Sequence, residues 1–152
     1  MIEDKIKELG YDLPETPKPL AAYIPALKTG DYVYTSGQVP LVKGELKFAG
    51  KIGSDLSLED GQKAAIICAV NALSAIKGVI VNLEKIERVI KLTVFVNSAN
   101  GFTDQPKVAN GASEFLGKIF GENGKHTRSA VGVSELPVNS AVEIEMIVKV
   151  KE

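Results

Sequence analysis

Arg128, Glu143 and Glu145 are the residues whose types and placement most suggest chemistry. Arg128 stands in His126-Thr127-Arg128-Ser129-Ala130-Val131, the glutamates in Ala141-Val142-Glu143-Ile144-Glu145, with Leu136-Pro137 between the two segments. Period-two alternation puts Val142, Ile144, Met146 and Val148 on one face of a strand and both glutamates on the other. A guanidinium and a carboxylate brought onto one sheet face would bind a small carboxylate and activate water beside it. The structural alternative is a cross-strand or interfacial ion pair that only holds the sheet or an oligomer together.

Other reactive side chains point to less. His126 is the only histidine and lies in a basic loop, Lys125-His126-Thr127-Arg128. Such a loop suits phosphate binding or RNA cleavage, but metal-free cleavage wants a separate acid and base, and a lone loop histidine is more often structural. Cys68 falls on an apolar helix face and reads as core. Gly121 and Gly124 make no phosphate loop, because no Gly-Lys-Ser or Gly-Lys-Thr follows a strand, and no metal-ligand spacing occurs.

The elements that must position Arg128 and Glu143 are legible in outline. With 152 residues, 45% of them hydrophobic, the expectation is a single domain over residues 1–152 with one core. A net charge of −1, with acids and bases interspersed, disfavours nucleic acid as a partner. One cysteine forms no internal disulfide, the charged N-terminus lacks a signal-peptide core, and no apolar run approaches the roughly 20 residues of a membrane helix, so a cytoplasmic protein without a membrane partner is expected.

Residues 2–9 form a weak helical pattern stopped by Gly10, followed by the extended Leu13-Pro14-Glu15-Thr16-Pro17-Lys18-Pro19, a short N-terminal addition of about residues 1–19 laid against the domain. A hairpin then joins 22–27 to 32–39 through Thr29-Gly30-Asp31, with a short strand at 46–49. Ser57 with Asp60 caps a helix that is buried on more than one side and ends near Lys77-Gly78. Residues 89–97 make a strand with Ile90, Leu92, Val94 and Val96 facing the core, and Pro106 opens a second helix ending at Gly121. Strands at 128–133 and 141–150 complete the chain.

Two helices cover only one face of a four- or five-stranded sheet. The opposite face would carry Tyr32, Tyr34, Ser36, Gln38, Thr93, Phe95, Arg128, Ala130, Glu143 and Ile147, too aromatic for plain solvent surface and too polar for a dry core. A homo-oligomer with clefts at its interface follows as an expectation.

Tyr32-Val33-Tyr34-Thr35-Ser36-Gly37-Gln38-Val39-Pro40, together with the segments around Arg128-Ser129, Leu136-Pro137 and Val142-Glu143-Ile144-Glu145, resembles the RidA family, also called the YjgF or L-PSP endoribonuclease family, from about Tyr23 to the C-terminus. The resemblance implies an α+β, chorismate-mutase-like fold: a mixed β-sheet with two helices on one face, assembled as a homotrimer around a central barrel with pockets between subunits. It also implies hydrolysis of small enamines and imines such as 2-aminoacrylate to a 2-keto acid and ammonia, without a metal or organic cofactor.

By position, the resemblance makes Arg128 the anchor of the substrate carboxylate and Glu143 the residue that positions or deprotonates water. Tyr23, seven residues before Gly30, would close the pocket, Ser36 would line it, and Asn110 is the candidate for a second-helix asparagine. The chain departs from the family at Ala21-Ala22-Tyr23-Ile24, at His126-Thr127, at Ala130 and around Val108-Ala109-Asn110-Gly111-Ala112-Ser113, which suggests a divergent branch. Two further readings stand beside the deaminase: a trimeric binder or sensor of small carboxylates, and, weighed against by charge, an endoribonuclease.

Overall fold

Ser57 starts the element around which the rest is built. In the computed structural model, which describes residues 1–18 and 22–152, Ser57 Oγ accepts the Asp60 amide at 3.1 Å while Asp60 Oδ2 accepts the Ser57 amide at 3.1 Å. This reciprocal cap satisfies two orphan donors and fixes the start of a 23-residue helix. The first helix, α1, covers Ile2–Glu8, and the capped helix, α2, covers Leu58–Ile80. Ala64, Ala65, Cys68, Ala69, Ala72, Leu73 and Ile76 of α2 are wholly buried, because small residues let it lie between the sheet and a second long helix.

Two expectations about α2 need correction. By length and composition it would suffice to cross a membrane, with a mean hydropathy of 1.6 over its most apolar window, although most of that window is buried as in a core helix. It also runs past Gly78 to Ile80 and ends at Val81, whose φ is 69°. Gly78 is needed for close approach instead of a helix stop: a Cβ there would lie 2.2 Å from Thr16 Cγ2, where the extended N-terminal segment crosses α2. Ser74 Oγ donates to Pro14 O at 2.9 Å along the same track.

Among the described residues the strands are β1 Ala26–Thr29, β2 Tyr32–Thr35, β3 Leu41–Val42, β4 Glu45–Leu46, β5 Ile86–Asn97, β6 Thr127–Val133 and β7 Val142–Val150. Strand β1 lies later than the expected 22–27, and the short β3–β4 pair stands in place of the single strand expected at 46–49. The main sheet has the order β1-β2-β7-β5-β6, antiparallel except for the parallel pair β5 and β6. That pair is joined by the helix α3, Gln105–Phe120, which with α2 covers one sheet face. The fold is α+β with a mixed sheet and two helices on one side. Strands β3 and β4 pair with each other, across Lys43 and Gly44, both at positive φ.

Strand β2 is shorter than its alternation suggests. Thr35 Oγ1 accepts the Met146 amide at 3.0 Å, pairing stops at Ser36 and Gly37, and Gln38 resumes it opposite Ile144. The pairs Tyr34↔Ile147 and Gln38↔Ile144 leave one extra residue on this side, a local bulge that brings Gly37 against Glu143.

Gly111 governs the crossing of α2 and α3. A Cβ there would lie 2.4 Å from the backbone oxygen of Gln62, whose own Nε2 donates to Lys107 O at 2.9 Å. Backbone cannot yield as a side-chain tip would. We expect Gly111→Ala to cost about 1–3 kcal/mol despite its better helix propensity, and to lower Tm by several degrees, on the order of 2–4 °C per kcal/mol, in thermal unfolding followed by circular dichroism.

Candidate functional site

The register of β6 decides where Arg128 goes. Arg128 pairs with Leu92 and Ala130 with Val94, and both partners are buried on the helix-covered face. Arg128 and Ala130 therefore lie on the helix side, not on the open face where the sequence reading placed them. Gln38 moves likewise, because it pairs with buried Ile144. The parallel β5–β6 pairing is the reason. It fixes Arg128 by the crossover through α3, and alternation within β6 says nothing of which face points to that helix.

On the helix side Arg128 is half-buried and held by α3. Its NH1 donates to Asn110 Oδ1 at 2.8 Å and to Ser113 Oγ at 3.0 Å, so both hydrogens of that nitrogen are used. Asn110 and Ser113 stand at i and i+3 on one helix face. The structure thus brings Asn110, the candidate second-helix asparagine, to Arg128. Ser113 and His126 complete the cluster: Ser113 Oγ lies 2.9 Å from His126 Nε2, and His126 Nδ1 lies 2.6 Å from Gly124 O. Burial first, then the nearby Arg128 charge, push the His126 pKa down. Arg128, Ser113, His126 and Gly124, with Gly117 and Lys125, line a cavity of about 270 Å³.

Neither glutamate pairs with Arg128, since β5 separates β6 from β7 and Glu143 stands opposite Phe95 on the open face. Glu143 is half-buried, and its pKa is raised by burial and secondly by Glu145. It sits over Gly37: a Cβ at that glycine would be 2.8 Å from both Cδ and Oε2 of Glu143. Beside it, Ser36 Oγ donates to Ile24 O at 2.7 Å, tying the loop that carries Tyr23 to the end of β2. Tyr23 is 53% exposed. Ala21, part of the same family motif, lies outside the described residues.

The open face around Glu143 exposes Tyr32, Tyr34 and Val131 at 40–44%. One chain therefore carries two separate clusters, one on each side of the sheet. Arg128, Asn110, Ser113 and His126 are joined by hydrogen bonds on the helix side; on the open face Glu143 lies over Gly37, next to Ser36 and the loop that Ser36 holds. Cys68 belongs to neither, being fully buried with its thiol pKa pushed up by burial.

The family model described as "YjgF/chorismate_mutase-like, putative endoribonuclease" matches residues 3–150. The chain belongs to the YjgF family, the RidA family of the resemblance. Among its relatives, protein TCP17 of Trypanosoma cruzi is 39% identical over 145 residues, covering 95% of this chain and 91% of that protein. The 2-iminobutanoate/2-iminopropanoate deaminase of Dermatophagoides farinae is 30% identical over 139 residues, covering 91% and 93%.

Among solved structures, Atu1372 of Agrobacterium tumefaciens superposes with a TM-score of 0.94 at 42% identity, covering 99% of this chain and 92% of that one. E. coli TdcF with bound serine gives 0.63 at 25%, covering 91% and 94%.

Missed by sequence reasoning were the parts played by Gly37 and Ser113. The i, i+3 spacing of Asn110 and Ser113 was the available signal for the second; nothing local marked the first. We expect Gly37→Ala to leave Tm nearly unchanged, because the atoms it meets are the tip of a flexible side chain, yet to displace the Glu143 carboxylate. A misplacement of about 1 Å can cost roughly 10²-fold, so turnover in a steady-state assay should fall at least about tenfold.

Proposed function

We propose that the protein hydrolyses small 2-imino and enamino acids, of the 2-aminoacrylate type, to 2-keto acids and ammonia in pockets between the subunits of a homotrimer. The observation that carries this reading is the separation of Arg128 and Glu143 onto opposite sides of one sheet. A substrate that needs both can meet them only where the Arg128 half-site of one copy faces the Glu143 half-site of another. The exposed aromatic face around Glu143 is a surface suited to that contact.

Arg128 has NH1 committed to Asn110 and Ser113, which orients the guanidinium and leaves its other donors for the substrate carboxylate. A carboxylate set there turns the imine carbon toward Glu143. Glu143 takes a proton from water as the oxygen adds to the imine carbon, and returns it to the imine nitrogen. The carbinolamine's hydroxyl proton then passes by way of Glu143 to the same nitrogen, which leaves as ammonia while the carbonyl of the keto acid forms. An imine carbon is electrophilic enough that orientation and one base suffice, so the reading calls on no cofactor. The deaminase relative supports the chemistry, and the serine-bound relative supports a ligand of amino-acid size.

A second reading is favoured by one feature: the Arg128 half-site is fully assembled without Glu143, as a carboxylate binder or sensor requires. Ammonia and keto-acid release from enzymatically generated 2-aminoacrylate distinguishes the two. Acceleration over a no-protein control is expected. No acceleration, with carboxylate binding retained in calorimetry, would transfer the assignment to a binder.

A further inference from the structure

The deaminase reading uses Ser113 and His126 only to hold Arg128, yet their geometry is that of a nucleophile and its base. A carbonyl oxygen can only accept, so the 2.6 Å contact to Gly124 O puts the proton of His126 on Nδ1. Burial keeps the ring neutral, and Nε2 then holds a lone pair. The Ser113 hydroxyl, 2.9 Å from Nε2, is therefore the donor in that pair. Arg128 NH1 donates to the same oxygen at 3.0 Å, where a cation stabilises negative charge developing on Oγ. One Oγ lone pair remains free beside the cavity.

We propose that Ser113 is the nucleophile of a second activity, hydrolysis of small acyl esters, with His126 as its general base. Ser113 Oγ attacks the ester carbonyl carbon while its proton passes to His126 Nε2. The bond from the acyl carbon to the alcohol oxygen breaks, and Nε2 returns the proton to the departing alkoxide, leaving acyl-Ser113. Water, losing a proton to Nε2, attacks the acyl carbon; the acid departs and Ser113 Oγ recovers the proton. The sum is ester plus water giving acid plus alcohol, with nothing oxidised or reduced.

The Gly124 carbonyl orients His126 as a carboxylate does in a full triad. Gly124 is required to be glycine, since a Cβ there would lie 2.5 Å from Leu116 O. A cavity of about 270 Å³ suits a short acyl chain. Gly117 lines it, and a Cβ at Gly117 would meet nothing within 4 Å, so a larger side chain there can occupy the space without moving the backbone.

The test is p-nitrophenyl acetate with the full-length protein, following p-nitrophenolate and mapping acetyl groups by mass spectrometry of quenched samples. One acetyl per chain on Ser113 is expected, absent in Ser113→Ala. Acetylation should slow about 10²-fold or more in His126→Gln and be blocked in Gly117→Leu, all three variants being checked for native circular dichroism. The readout is acylation, so it stands or falls separately from imine hydrolysis. Acetyl transfer no faster than in Ser113→Ala, or acetyl found on Lys125 instead, would overturn the assignment and leave Ser113 as a support for Arg128.

Discussion

Arg128→Ala is expected to lower kcat/KM for a 2-imino acid about 10²- to 10³-fold, roughly 3–4 kcal/mol at about 1.4 kcal/mol per tenfold. Two effects combine. The substrate loses two parallel charge-assisted hydrogen bonds, and its carboxylate is left in a half-buried pocket facing Asn110 and Ser113 with no cation. The loss should appear chiefly in KM, because the carboxylate is present in both ground and transition states, with a further fall in kcat from poorer orientation. Arg128→Lys should recover only part, since an ammonium cannot serve Asn110, Ser113 and a planar carboxylate in the same fork. Equal KM values for the parent and Arg128→Ala would remove the arginine from substrate binding.

Glu143→Gln is the complementary case and should fall in kcat. Loss of a general base removes about 10²- to 10⁴-fold while leaving the carboxylate anchor intact, so KM should change little. The pH profile carries a sign. Burial and then Glu145 hold the Glu143 pKa above its ordinary value of 4.5, and a base works only when ionised. Activity should therefore fall as pH drops through a limb lying above 4.5, and Glu145→Gln should shift that limb downward. If pockets form between copies, mixing the Arg128→Ala and Glu143→Gln chains before reassembly should restore about a quarter of parental activity, because that share of random sites unites an intact Arg128 with an intact Glu143. Mixtures as inactive as either variant alone would place both residues of a functional site within one chain.

Much of this architecture is set by local chemistry. The Ser57–Asp60 cap, the apolar alternation of β7 and of β5 from Leu92 on, Pro106 in the first turn of α3 and Gly121 at its end are each decided by a few neighbouring residues, so they can be read directly. At Ile90, expected on the core face, a register shift between Val89 and Lys91 puts Val89 into the core instead. The candidate residues could be named on the same footing: Arg128 and Glu143 stand on strands where charge needs a reason, and the motifs around them carry the family resemblance that the family match bears out. Boundaries were less legible where a distant contact intervenes. Gly78 reads as a helix stop until Thr16 is seen crossing it, and β2 breaks at Ser36 because Thr35 spends its hydroxyl on Met146.

The sequence by itself determined the family and most of the element types, and singled out Arg128 and Glu143 as candidates, because capping, periodicity and motif spacing act over a few residues. Only the tertiary structure decided that Arg128 and Glu143 face opposite sides. Alternation assigns residues to two faces of each strand separately, while the relative facing of β6 and β7 depends on β5 lying between them and on α3 carrying the chain across to a parallel neighbour. The same crossover brings Asn110 and Ser113 to Arg128, across 18 and 15 residues of chain, which no local pattern encodes.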